Sequence, residues 1–237
     1  MSKKNQIALV TGASSGIGQS VAVELSTKGF EVIISSRNTE GLNQTKKLID
    51  SVGGNCHVIQ MDISNHESVK KLFVESQKIG SVDVVINNAG LGKFDRLENI
   101  SLEDWDMQIN VNLRGAFLVT QAFSKPMIEN KSGMFVYINS VAGKKGYAYS
   151  SAYVTSKFGL LGFSKSMRNE LREHNIKVIS IHPGAVDTNF WNNVKGDFPR
   201  DEMMTSKNVA KSIVHAILAP ENIVLEEIDI QRTAGDF

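Results

Sequence analysis

The chain has 237 residues, enough to bury a sizeable core in one large domain or two small ones. Its 26 basic and 25 acidic side chains leave a formal charge of +1, which argues against nucleic acid or an anionic membrane as partner. The lone cysteine, Cys56, cannot close an internal disulfide, and the first apolar run, Ile7-Ala8-Leu9-Val10, is too short for a signal-peptide core. No later run approaches bilayer-spanning length, so a cytoplasmic protein is expected.

In chain order, β-rich runs are expected at 6–10, 31–35, 56–62, 82–87, 133–139, 177–182 and 226–230. Helical patterns fill the gaps at 16–28, 40–51, 66–78, 102–127, 152–174 and 207–219. Strand–helix alternation at this spacing implies right-handed crossovers and a parallel sheet covered on both faces. The sequence shows no repeat or linker, its four prolines are scattered, and 184–206 is the only long irregular stretch. One domain over 1–237 is the economical reading.

The first βα turn reads VTGASSGIGQS, Val10 to Ser20. A helix N-terminus at such a turn presents unpaired N–H groups and a positive dipole end, which favour an anion. Gly12 would make the tight turn, Gly16 would admit a pyrophosphate and Gly18 would let the helix pack closely. The spacing is G-x-x-x-G-x-G, not the common G-x-G-x-x-G, and it lacks the lysine of a P-loop. On these residues alone, a phosphate cradle and a ligand-free turn both stand.

Tyr153 and Lys157 are spaced i, i+4 on a predicted helix, so they share a face. A neighbouring ammonium favours the phenolate, and this spacing leads one to expect a tyrosine pKa lowered towards the working range. An ordinary helix-surface pair is the alternative. Asn87-Asn88-Ala89-Gly90 and Ile138-Asn139-Ser140 fall at predicted strand ends, and Asn112 lies within a helical run. Ligands of open parallel sheets bind at such strand ends. Taken singly, Ser140 could cap a turn, Asn87 could satisfy loop backbone and Asn112 could face solvent.

Together, TGASSGIG (Thr11–Gly18), NNAG (Asn87–Gly90), Asn112 of VNLRG, Ser140, YVTSK (Tyr153–Lys157) and PGAVDT (Pro183–Thr188) resemble the short-chain dehydrogenase/reductase family, in the family's order. The resemblance runs from about Ile7 to Thr188. It implies an α/β Rossmann fold: a doubly wound parallel sheet of seven strands, order 3-2-1-4-5-6-7, with helices on both faces. It also implies that Tyr153 is the general acid or base, that Lys157 lowers its pKa and binds the nicotinamide ribose, and that Ser140 holds the substrate oxygen. Asn112 would hold a water beside the lysine. The implied cofactor set is Gly12, Ser14, Ser15, Gly16, Ile17, Gly18, Arg37, Asp62, Ile63, Asn88, Ala89, Gly90, Tyr153, Lys157, Pro183, Gly184, Val186 and Thr188. Within it, Asp62 would bond the adenine and Thr188 the nicotinamide carboxamide. No metal is implied.

The second predicted strand ends Ser35-Ser36-Arg37-Asn38, without the carboxylate that would bind a 2′-hydroxyl of NAD. Arg37 suits a 2′-phosphate, so NADP(H) is expected over NAD(H), although Ser15 stands where some family members carry a second basic residue. The stretch 184–206 reads as a substrate lid. Its Phe190, Trp191, Phe198, Met203 and Met204, with Phe94, Tyr147 and Tyr149, suggest a pocket for a carbonyl compound with an apolar or aromatic portion; core anchoring is the alternative. Lys144 and Lys145 could meet an anionic group or simply be solvated. The expected activity is hydride transfer between nicotinamide and a small ketone, aldehyde or 3-oxo acid, or the corresponding alcohol. Sugar-nucleotide epimerisation or dehydration is disfavoured by the glycine spacing and the short chain after Tyr153, and a non-catalytic NADP-binding regulator by the intact Asn-Ser-Tyr-Lys set. The resemblance implies a homodimer or homotetramer.

Overall fold

The computed structural model describes residues 6–194 and 198–236. The strands that build the centre of the sheet are apolar and β-branched because they are buried on both faces. They are β1 (Ile7–Thr11), β2 (Glu31–Ser36), β4 (Val84–Asn87), β5 (Gly133–Ile138) and β6 (Ile176–Pro183), with β3 (Asn55–Gln60) at one edge and β9 (Glu227–Ile230) at the other. All six pairings are parallel, and the order is β3-β2-β1-β4-β5-β6-β9. That is the implied 3-2-1-4-5-6-7 order. The seventh strand is numbered β9 because the two-residue strands β7 (Val186–Asp187) and β8 (Met204–Thr205) precede it.

Helices α1 (Gly16–Thr27), α2 (Thr39–Ser51) and α7 (Ser206–Ile217) cover one face, burying Val21, Leu25, Leu42, Ile49, Val209 and Ile213 against Val10, Ile34 and Ile86. Helices α3 (His66–Ile79), α5 (Gly115–Asn130) and α6 (Ser151–Leu171) cover the other, where Leu72, Phe123 and Leu160 meet Leu9, Phe135 and Tyr137. Among the described residues no helix is long and apolar enough to cross a membrane. Strand order reverses between β1 and β4, so the carboxyl ends of these strands frame a crevice, the usual ligand position of such sheets.

Two expectations need correction. The helix expected over 102–127 is three elements: α4 (Leu102–Ile109), a π-turn (Asn110–Arg114) and α5. The wider turn turns Asn112 inward, where its amide bonds the Leu91 backbone, an inserted feature that periodicity cannot register. The stretch expected to be irregular, 184–206, holds β7, β8 and the 3-10 turns Asn189–Asn193 and Arg200–Glu202. Lys195, Gly196 and Asp197 of that stretch, and residues 1–5 and Phe237, lie outside the described residues.

Candidate active site

At the end of β1, Gly12 turns the chain with φ +65°, and a Cβ there would stand 2.7 Å from the Ala89 Cα. Only glycine lets the ends of β1 and β4 approach so closely. Thr11 Oγ1 accepts from the N–H groups of Asn88 and Ala89, both at 3.1 Å, and Asn88 Nδ2 donates to the carbonyls of Thr11 and Gly12. Asn88 and Ala89 thereby lock the glycine turn in place.

Side chains cap α2 (Asn38), α3 (Asn65), α4 (Ser101) and α7 (Thr205), whereas Ser15 gives α1 no side-chain cap. The first-turn N–H groups of α1 are therefore free to serve an anionic ligand, and the cradle fits a pyrophosphate. A cavity of about 500 Å³ runs along it, lined by Ser14, Ser15, Gly16, Asn38, Gly41 and Thr188 among others. Ile17 packs from the turn onto the core. Pro183 ends β6, Gly184 donates its N–H to the Ile230 carbonyl, Val186 is buried in β7, and Thr188 reaches across to Gly16.

Arg37 is exposed at the carboxyl end of β2. Its charge is felt by Asp62, whose Oδ1 accepts from the N–H and hydroxyl of Ser64 at 2.9 and 2.7 Å. Partial burial works to raise the Asp62 pKa, but these bonds and Arg37 outweigh it and hold the carboxyl below its ordinary range. Ile63 is buried against Gly115.

The second cluster gathers at the carboxyl end of β5. Ser140 caps a short 3-10 turn, its hydroxyl accepting from Ala142 N–H at 3.1 Å, and it is also within hydrogen-bonding reach of the Tyr153 phenol. Lys157, one turn along α6, is 4% exposed; its Nζ donates to the Ile138 carbonyl at 3.0 Å and lies 5.7 Å from the Tyr153 ring centre. Gly90 sits between Lys157 Nζ and Asn112 Oδ1. Asn112 is buried, not solvent-facing; besides its Leu91 bonds it donates to Ser156 Oγ at 2.9 Å, clipping the β4 turn to α6.

The electrostatics depart from the sequence expectation. Desolvation pushes the Tyr153 phenol up to about 12, with the Ser140 hydrogen bond pulling the other way, and burial lowers Lys157 to about 8. The i, i+4 spacing does bring the lysine beside the tyrosine ring, but loss of water around the phenolate sets the direction of the shift.

Sequence reasoning missed His182. It is fully buried on β6 with Nδ1 3.2 Å from the Ser140 carbonyl, and burial holds its pKa below the ordinary value, so it props the Ser140 backbone as a neutral ring. It missed Arg200 as well, which donates to Asp187, Asn192 and the Thr188 carbonyl and so ties the turn Arg200–Glu202 back to the chain after β7. Its sequence signal, one arginine in a long loop, is indistinguishable from a solvated side chain.

Residues 6–197 match the family model described as short chain dehydrogenase. The chain belongs to this oxidoreductase family. It is 35% identical over 239 residues to the sepiapterin reductase of Chlorobaculum tepidum, with 98% of each chain covered. Among solved structures it is similar to an alcohol dehydrogenase from Thermococcus sibiricus complexed with 5-hydroxy-NADP, with 27% identity, TM-score 0.89 and 97% of each chain covered. A metagenomic short-chain oxidoreductase in complex with NADP is 30% identical at TM-score 0.85, covering 96% of this chain and 97% of that one.

Proposed function

We propose that this short-chain dehydrogenase interconverts a small carbonyl compound and its alcohol with NADP(H). The carrying observation is the Ser140–Tyr153–Lys157 cluster, with the phenol beside the serine hydroxyl and the buried ammonium beneath it, on the same crevice as the glycine cradle. When bound, NADPH supplies a hydride to the carbonyl carbon. Ser140 holds the carbonyl oxygen where negative charge develops, and Tyr153 gives it a proton. Lys157 keeps positive charge under the phenol, and the Asn112 amide fixes the Leu91 turn that walls the site. Support for NADP(H) comes from Arg37 at the end of β2, from the absence of a carboxylate among Ser35, Ser36, Arg37 and Asn38, and from the NADP-type ligands of the two solved neighbours.

The test is a titration with NADPH and NADH followed by a carbonyl screen read as loss of nicotinamide absorbance. Oxidation of NADPH by at least one ketone or aldehyde is the expected result; binding with no turnover on any would sink the reading. A second expectation concerns Arg37→Asp. A charge-assisted bond is worth about 1.5–3 kcal/mol, so the ratio of KM values should swing towards NADH by roughly 10- to 100-fold. An unchanged ratio would show that the 2′-phosphate is read elsewhere.

A further inference from the structure

Three aromatic rings meet over the reacting phenol. The Phe94 and Tyr153 ring centres are 5.4 Å apart, those of Tyr153 and Phe190 5.5 Å, and those of Phe94 and Phe190 5.8 Å. The backbone is bare where they converge. A Cβ on Gly92 would come within 2.5 Å of Phe190 Cζ and 2.8 Å of Phe94 Cζ, so any larger residue would drive the rings apart. Phe94 is a fixed wall. The Lys93 N–H on one side of it bonds the buried Gln108 at 3.0 Å, and the Asp95 N–H on the other bonds the Tyr149 carbonyl at 2.9 Å. Phe190 stands instead on the 3-10 turn Asn189–Asn193, which hangs from Thr188 and Arg200.

A carbonyl oxygen shared by Tyr153 and Ser140 places its neighbouring substituent against the Tyr153 ring, where Phe190 now packs. Centre-to-centre distances below 6 Å leave no slot for a further ring between Tyr153 and Phe190. The substrate therefore lifts Phe190 by a ring's thickness and takes over its contacts, and a flat aromatic substituent is the group that restores them on both sides. Among the described residues four nearby cations each have an acidic partner: Lys93 with Asp104 at 2.6 Å, Lys144 with Asp229 at 2.6 Å, Lys145 with Asp236 at 3.3 Å, and Arg200 with Asp187 at 2.6 Å. A carboxylate drawn to one of these cations would meet its acidic partner as well, and the like charges would repel.

We propose that Phe94 and Phe190 form an aromatic clamp that selects uncharged carbonyl compounds bearing an aromatic ring next to the reacting carbonyl. This rests on the reductase reading above and names its substrate class. In the reaction the carbonyl carbon gains the hydride of NADPH, its oxygen gains the Tyr153 proton, and the aryl alcohol and NADP⁺ leave.

The matched probes are 1-phenyl-1,2-propanedione, 2,3-butanedione and the anion phenylglyoxylate. The expected kcat/KM is about 2- to 10-fold higher for the phenyl dione than for butanedione, from the worth of an aromatic pair. Phe190→Ala and Phe94→Ala, checked for unchanged melting, should each shrink that ratio several-fold. The cost of lifting Phe190 is common to both diones and cancels in the ratio. Phenylglyoxylate should be the poorer aryl substrate. Equal use of the two diones, a ratio untouched by both variants, or a preference for phenylglyoxylate overturns the clamp while leaving the reductase reading intact. Calorimetric binding of the phenyl dione to the NADP⁺-loaded Tyr153→Phe protein, tenfold weaker once Phe190→Ala is added, supports the clamp even where no carbonyl is reduced; that combination overturns the reductase reading alone.

Discussion

Replacing Tyr153 by phenylalanine is expected to lower kcat for carbonyl reduction by about 10²–10⁴-fold, the range of a positioned general acid, while leaving NADPH affinity within a few-fold of wild type. The substitution removes one oxygen and keeps the ring, so the packing against Phe94 and Phe190 survives. Because desolvation holds the phenol up to about 12, it is fully protonated at neutral pH, which is the form that reduction needs. Reduction should therefore show no break assignable to Tyr153 on the neutral side of that value, whereas alcohol oxidation, which needs the phenolate, should accelerate as pH rises. Steady-state rates in both directions, paired with a fluorescence titration of NADPH, check this. Retained turnover in the phenylalanine protein would take the proton away from Tyr153 and leave Ser140 as its source.

The raised phenol pKa marks where sequence and structure part. Spacing shows that Lys157 follows Tyr153 by one helical turn, but it carries nothing about how much water either group loses, and that loss decides the direction of both shifts. The sheet was far more legible. Runs such as Ile7-Ala8-Leu9-Val10 and Val84-Val85-Ile86 are apolar on both faces, and the glycine turn with Asn87–Gly90 sits at strand ends, so order and crevice follow from alternation and the motif resemblance. Asn112 was found as a site residue on resemblance, yet its inward turn needs a π-turn that adds one residue to a helical repeat. Phe190 was visible as one aromatic among several in the 184–206 stretch, but its seat on Tyr153 depends on Gly92, a residue far away in sequence that no pattern ties to it; what makes the seat is the missing Cβ there. His182 is a buried partner of the Ser140 carbonyl, and a single histidine before Pro183 carries no periodic signal of that bond.

Lys157→Met should abolish efficient turnover and, in the cofactor-free protein, make the fold more stable at neutral pH. Burial lowers Lys157 from an ordinary 10.5 to about 8, so the folded state holds its charge at a cost that the unfolded chain does not bear. Below about pH 8 both states are charged and the cost is present in full. Between about 8 and 10.5 the folded state has released its proton while the unfolded chain keeps it, so wild-type stability rises with pH; above 10.5 both are neutral and the difference is gone. A shift of this size corresponds to roughly 3 kcal/mol at neutral pH, and the lost hydrogen bond to the Ile138 carbonyl at 3.0 Å takes back about 1 kcal/mol. The net gain should raise the melting temperature by several degrees at neutral pH and fade as the pH approaches 10.5. Thermal melts of the two proteins across that range give the answer, and a methionine variant that melts lower at neutral pH, or whose gain does not fade, would show that the ammonium is paired in the resting fold. Stability sacrificed at a buried lysine is what a site pays when the charge beneath its phenol is there for chemistry.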